Sequence, residues 1–182
     1  MVLIGRKLVL VTQLSPAAAE AALVAAIKPQ MSWRENLNPM KWMRDGKFMG
    51  SCADGKFSLR RDINYRNSFL PFITGTITAD EAGAGTRVNV RMKMHTFVLL
   101  FMVVWLCGVA MACGVFSLSA VTGHPPMHQT GAFPFTLVPF GMLAFGLALP
   151  AFCFIPEANK AEKFLKETLQ ADTQPDGRDR AL

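Results

Sequence analysis

Apolar and polar positions alternate most clearly between Thr86 and His95. Thr86, Val88, Val90, Met92 and Met94 fall on one side of a strand, and Arg87, Asn89, Arg91, Lys93 and His95 on the other. The same period of two begins at Lys47. There Phe48, Gly50 and Cys52 alternate with polar neighbours, Asp54-Gly55 predicts a hairpin turn, and Phe57 and Leu59 resume the alternation, with Ile63 and Tyr65 continuing it. A further strand is predicted over Phe69 to Thr78, with Pro71 marking a bulge or an edge, followed by a turn over Ala79 to Gly85. Residues 5 to 14, centred on Leu8 to Val11, predict a first strand. Ser15-Pro16 is an N-cap followed by proline at the first helical position, and Ala17 to Ile27 is rich in helix formers, closed by Lys28-Pro29. Residues 30 to 46, with Asn38 and Pro39, predict irregular structure.

At Met94 the pattern changes kind. No Asp, Glu, Lys or Arg occurs in the 63 residues from Met94 to Pro156. Thr96 to Val121 makes a helix of about 39 Å and Phe133 to Ile155 one of about 35 Å, against a bilayer core of about 30 Å. The segment between them, residues 122 to 132, contains Pro125-Pro126, Gly123 and Gly131, and predicts a turn. The reading is a transmembrane hairpin. Two fully buried helices of a soluble domain are the competing reading, and a chain this small rarely hides two such runs. Pro139 and Pro150 lie within the second run, where proline removes a backbone donor and favours a bend.

Beyond the second run, Ala158, Ala161, Phe164, Leu165 and Leu169 recur at helical spacing, with Glu162/Lys166 and Lys163/Glu167 as i,i+4 pairs on the other side. A sheet with one apolar face needs cover, so this C-terminal helix is expected to return and pack on it. The fold class is therefore α+β: a small antiparallel meander of about four strands with one N-terminal helix, a two-helix transmembrane hairpin and a C-terminal amphipathic helix. The expected division is a cytoplasmic domain over 1–95, a hairpin over 96–155 (spans 96–121 and 133–155, external loop 122–132), a cytoplasmic helix over 156–170 and a disordered tail over 171–182.

Charge sets the orientation. Residues 1 to 95 carry 14 Lys/Arg against 7 Asp/Glu, the segment after the second span carries 5 Lys/Arg, and the connecting loop carries none. Positive-inside reasoning puts both termini in the cytoplasm, as in a bacterial inner-membrane protein, and no signal peptide is read at the N-terminus. The net charge of +6 follows from this placement, so no nucleic-acid partner is inferred. The lipid bilayer is the expected partner, with a membrane or cytoplasmic protein, or further copies of the chain, as additional ones.

One resemblance carries weight at this point. The run Arg60-Arg61-Asp62-Ile63-Asn64-Tyr65-Arg66-Asn67-Ser68-Phe69-Leu70-Pro71, then Gly75-Thr76-Ile77, Gly85-Thr86-Arg87-Val88 and Met92 to His95 entering a span, resembles a group of small uncharacterised bacterial membrane proteins. The similarity covers roughly residues 45 to 170. It implies a cytoplasmic β-rich domain, a two-span hairpin and a short C-terminal helix, and it implies no activity.

The candidate chemistry is sparse. Tyr65, Arg66, Asn67 and Ser68 either line a polar ligand or partner site, with Arg66 pairing an anion, or simply end a strand through local side-chain hydrogen bonds. Arg87, Arg91 and Lys93 are either a solvated sheet face or contacts to anionic lipid headgroups. Met31, Trp33, Leu37, Met40, Trp42 and Met43, with Arg34, Lys41 and Arg44, suit either a membrane interface or core cover. In the hairpin, Gly108 and Ala112 (in register with Trp105, Val115 and Ser119) and Gly141, Ala144 and Ala148 (with Ala151) form small-residue faces for helix packing, within one chain or between copies. His124 and His128 flank Pro125-Pro126-Met127 and cannot share a helical face, so no metal site is inferred. The four cysteines form no Cys-x-x-Cys pair, and Walker, His-Glu-x-x-His, Gly-x-Ser-x-Gly and dinucleotide motifs are missing. No cofactor and no catalytic residue are expected. The expectation is a non-enzymatic accessory or regulatory membrane protein. The alternatives are a small oligomeric transporter or channel component and a membrane-bound enzyme using Tyr65, Arg66 and Asn67.

Overall fold

The computed structural model describes residues 5–29, 47–63, 65–80, 85–123 and 137–174. The Met31–Arg44 patch, the His124/His128 loop, the first residues of the second apolar run and the end of the tail lie outside these.

The elements in chain order are β1 (Gly5–Thr12), α1 (Pro16–Ala26), β2 (Lys28–Pro29), β3 (Phe48–Ala53), β4 (Lys56–Arg61), β5 (Phe72–Ala79), β6 (Thr86–Lys93), α2 (Thr96–Thr122), α3 (Val138–Leu169) and β7 (Asp172–Gln174). The fold is α+β. One sheet runs in the order β2-β3-β4-β5-β6-β1-β7. Six strands are antiparallel, and the two-residue β2 joins the edge in parallel with β3. The expected meander is its middle, β3 to β6. The first strand folds back beside β6, with Leu10 opposite Val88, so the N-terminal strand becomes interior to the sheet.

Local chemistry accounts for the joints. Asp54 and Gly55 both have positive φ, 52° and 67°, the conformation that a two-residue hairpin requires. Glu20 on α1 accepts a hydrogen bond from the Gly55 N–H at 3.0 Å, which ties the helix to that turn. Ser15 caps α1, its Oγ accepting from the Ala18 N–H, with Pro16 behind it. β6 passes into α2 through His95, whose Nδ1 accepts from the Phe97 N–H at 3.2 Å.

Four sequence expectations change, the first being the tail: residues 172–174 of the stretch expected to be disordered form a strand, β7, paired with β1. β4 ends at Arg61, and Ile63 and Tyr65 lie beyond it. Pro71 is buried and immediately precedes β5, where its missing N–H breaks no ladder. The largest difference concerns the end of the hairpin. The second apolar run and the amphipathic C-terminal helix are one continuous helix of 32 residues that passes through Pro150 and Pro156. Pro139 sits in its first turn, where no helical donor is lost. At about 1.5 Å per residue α3 is about 48 Å long, enough to cross an apolar layer of about 30 Å and continue along the sheet. It ends at Gln170, in the left-handed conformation, with Thr12 Oγ1 donating to the Leu169 carbonyl at 2.6 Å. The chain then adds β7 to the free edge of β1.

Both α2 and α3 are long and apolar enough to cross a membrane, and only 17% of the most apolar window of each is buried. A core helix of a soluble protein would be mostly buried, whereas here Phe97, Leu100, Val104, Leu118, Phe145 and Phe152 point outward. The two helices meet along Met102, Trp105, Leu106, Val109 and Cys113 on α2 and Gly146, Pro150 and Phe154 on α3. Gly146 is buried against the Trp105 ring, and any larger residue there would strike it. Gly108, Gly141 and Ala144 lie outside that contact face and are exposed, while Ala112 and Ala148 are half-buried at its margin.

The sheet's inner face carries Leu8, Leu10, Phe57, Leu59, Ile73, Ile77, Val88, Val90 and Met92, covered by α1 (Ala19, Leu23) and by Ala158, Ala161, Leu165 and Leu169 of α3. Phe164 stacks on Phe48 at 4.2 Å between ring centroids. This core continues without interruption through Phe154 and Met102 to Trp105, Leu106 and Leu149 of the hairpin. Sheet and hairpin therefore share one apolar cluster.

Candidate functional site

Glu157 is the first charged residue after the uncharged stretch, and α3 carries it to the edge of the sheet nearest the hairpin. Its side chain is 4% exposed. Three donors converge on it: Arg61 Nη1 at 2.6 Å on Oε2, and Tyr65 Oη and Lys160 Nζ, each at 2.8 Å, on Oε1. Arg61 ends β4, so a sheet strand, the segment behind it and two turns of α3 are fastened at one carboxylate. Burial alone would raise the Glu157 carboxyl, but the hydrogen bonds from Lys160, Arg61 and Tyr65 outweigh it and hold the group below the usual carboxylate range. The same contact pushes the Arg61 guanidinium up, and burial together with the Glu157 hydrogen bond pushes the Tyr65 phenol up.

Asn67 completes the junction. Its Oδ1 accepts from the Phe69 N–H at 2.9 Å, and its Nδ2 donates to the Cys153 carbonyl at 3.3 Å. Pro156 deprives the Phe152 carbonyl of its usual helical donor, and Asn67 reaches the adjacent carbonyl from outside the helix. Of the sequence-derived cluster, Tyr65 and Asn67 thus meet on α3, whereas Arg66 is exposed and turned away from them. A second tie lies further along α3, where Arg6 of β1 reaches Asn159 Oδ1 and Glu162 Oε2, both at 2.7 Å. Glu162 is also held low: burial opposes this, but Lys166 and Arg6 prevail. The expected i,i+4 pairs form as well, Glu162–Lys166 at 2.8 Å and Lys163–Glu167 at 3.7 Å.

The sign of the pH dependence follows. A carboxylate whose folded pKa is depressed contributes stability above its unfolded value of about 4.3, and that contribution fades as pH falls through the folded value. Thermal melts of the reconstituted protein are expected to be nearly flat from pH 7 to 5 and to fall steeply below about pH 4.5. In Glu157→Gln the acid slope should be shallower, and an unchanged slope would count against Glu157 as a source of it.

The sheet's outer face has the opposite character. It carries Lys7, Lys56, Arg60, Arg87, Arg91 and Lys93, interspersed with Ser58, Thr74, Thr76, Thr78 and Asn89. Arg87 is paired with Asp80, Nη2 to Oδ1 at 3.2 Å. Lys7, Lys56, Arg91 and Lys93 have no ion-pair partner among the described residues. Lys93 is three residues from the start of α2, hence about 10 Å along the strand, whereas Arg87 is about 30 Å away. The residues expected to touch headgroups are therefore spread along the strand at increasing distance from α2.

Among the described residues no three His, Cys, Asp or Glu side chains are grouped so as to hold a metal ion. Cys52, Cys107, Cys113 and Cys153 are free thiols. Sequence reasoning missed Glu157 and Arg61. Their partnership spans 96 residues, and the available signal was only that a lone carboxylate, with Lys160 three residues on, closes a long uncharged run. Compared with protein-family models, with curated proteins and with solved structures, the chain matches none.

Proposed function

We propose that this protein is a non-enzymatic accessory or regulatory subunit of a membrane, anchored by the α2–α3 hairpin with both ends in the cytoplasm of a bacterial cell, whose sheet domain receives a protein partner, headgroup or ligand. The observation that carries this reading is the unbroken α3. One rigid element runs from the apolar span into the sheet core, and Glu157 fastens it at the boundary. A load on the sheet is passed to the hairpin without a linker to absorb it. The absence of Asp, Glu, Lys and Arg within the uncharged stretch weighs against a proton or ion pathway. The engagement of Tyr65 and Asn67 with α3 weighs against their use in catalysis.

The test is in-cell crosslinking followed by affinity purification from native membranes. A stoichiometric partner lost in variants of the outer sheet face is the expected result, and recovery of the chain with lipid and itself alone would end the accessory-subunit reading. The second reading, an oligomeric transporter or channel component, is favoured by the outward placement of Gly108, Gly141 and Ala144, which leaves small residues free for other copies. Gly108→Cys in a background with Cys107 replaced by serine should then form disulfide-linked dimers in bilayers, and its persistence as monomer would remove that reading.

A further inference from the structure

The outer sheet face is concave between β1 and β4 and encloses a basin of about 700 Å³. This lies within the roughly 300–1,000 Å³ of small-molecule sites. Its charged lining is of one sign: Lys7, Lys56, Arg87 and Arg91, with Asn89 and Thr76 between them. Lys7 and Arg91 are direct cross-strand partners on this face, and like charges so placed repel. Lys56 lies opposite Thr76, which lies opposite Asn89, so it stands two strand spacings, about 10 Å, from β6. Three of the four cations have no acid partner among the described residues. The arrangement leaves a repulsion in the sheet that a multivalent anion held between β6 and the long Lys56 side chain would relieve.

Arg91 is five residues from the start of α2, or about 17 Å along the strand, and Arg87 about 30 Å. The headgroup layer is only about 5–8 Å thick on each side of the bilayer core, so a β6 that leaves the membrane along its normal carries the basin beyond that layer.

We propose that the basin is a binding site for a soluble ligand carrying at least two phosphate groups, one held by Lys7 and Arg91 and the other by Lys56 and Arg87, with the Asn89 amide between them. This inference rests on the cytoplasmic placement of the sheet domain and supplies the class of ligand that the domain receives.

The test is isothermal titration of the full-length protein, reconstituted in neutral phosphatidylcholine nanodiscs at low salt, with inorganic pyrophosphate and with glycerol 3-phosphate, the phosphate of a lipid headgroup without its chains. Saturable pyrophosphate binding is expected, at least tenfold tighter than glycerol 3-phosphate and weakening with added salt. Lys56→Gln/Arg91→Gln should weaken it at least tenfold. Both side chains are exposed, so the melting temperature should not fall, and Lys163→Gln on the far side of α3 should leave binding as it was. Three results would overturn the proposal: no saturable binding, binding indifferent to the double variant, or glycerol 3-phosphate as tight as pyrophosphate, the last pointing to a headgroup site. A protein that binds neither probe yet still copurifies a partner fails this inference alone.

Discussion

Glu157→Ala is expected to destabilise the junction between sheet and hairpin by about 3–5 kcal/mol, the range for removing one partner of a buried ion pair. The carboxylate is nearly inaccessible and receives three donors, so its removal takes a short ion pair from Arg61, four-fifths of whose side chain is covered, and the acceptor from the Tyr65 hydroxyl. Lys160 is half exposed and returns to water at little cost. Glu157→Gln keeps an acceptor and should cost less. Replacing both partners, Arg61→Met with Glu157→Leu, should recover most of the loss, because an apolar pair of similar volume leaves no uncompensated charge. Thermal melts of the parent, Arg61→Met, Glu157→Leu and the double variant in one lipid provide the cycle. A Glu157→Ala protein within 1 kcal/mol of the parent would mean that the junction is held by packing alone.

Leu165→Ala is expected to cost about 2–5 kcal/mol. Leu165 is fully buried in the half of α3 that covers the sheet, one position beyond the Phe164–Phe48 stack. Its truncation opens a cavity under the inner face. The control lies on the same helix: Leu147 faces outward in the apolar half, and Leu147→Ala should change the melt by less than about 0.5 kcal/mol. Chemical denaturation read by tryptophan fluorescence and by limited proteolysis of the sheet should separate the two. Equal effects would show that the amphipathic half of α3 is not the sheet's cover.

The alternation from Thr86 to His95 announced β6 and its facing because one side of that strand is buried against apolar groups and the other is wet, which is the only condition under which a period of two is written clearly. Asp54-Gly55 was equally legible, since two consecutive positive φ values restrict the residues that tolerate them. The i,i+4 pairs of α3 could be read for the same local reason. What resisted reading was non-local. Pro150 and Pro156 look like interruptions, yet each removes only one donor, and the helix continues through both. β7 has three residues, too few for a pattern, and it exists because β1 offers it an edge. The Glu157 assembly depends on residues 92 and 96 positions away, and no local rule links them. The basin was half legible: Arg87 and Arg91 were marked as one basic face, but Lys7 and Lys56 join it only through strand order.

The position of the sheet's cover also dictates an order of synthesis. β1 through β6 have left the ribosome by Lys93, but the residues of α3 that bury their inner face, Ala158 to Leu169, come after the whole apolar stretch. At roughly 5–20 residues per second the uncovered sheet waits on the order of ten seconds, its apolar face open to chaperones and proteases. The sheet is therefore completed last, by residues made after both long apolar helices. Stalled chains truncated near residue 150 should be degraded far faster than chains released after Gln174.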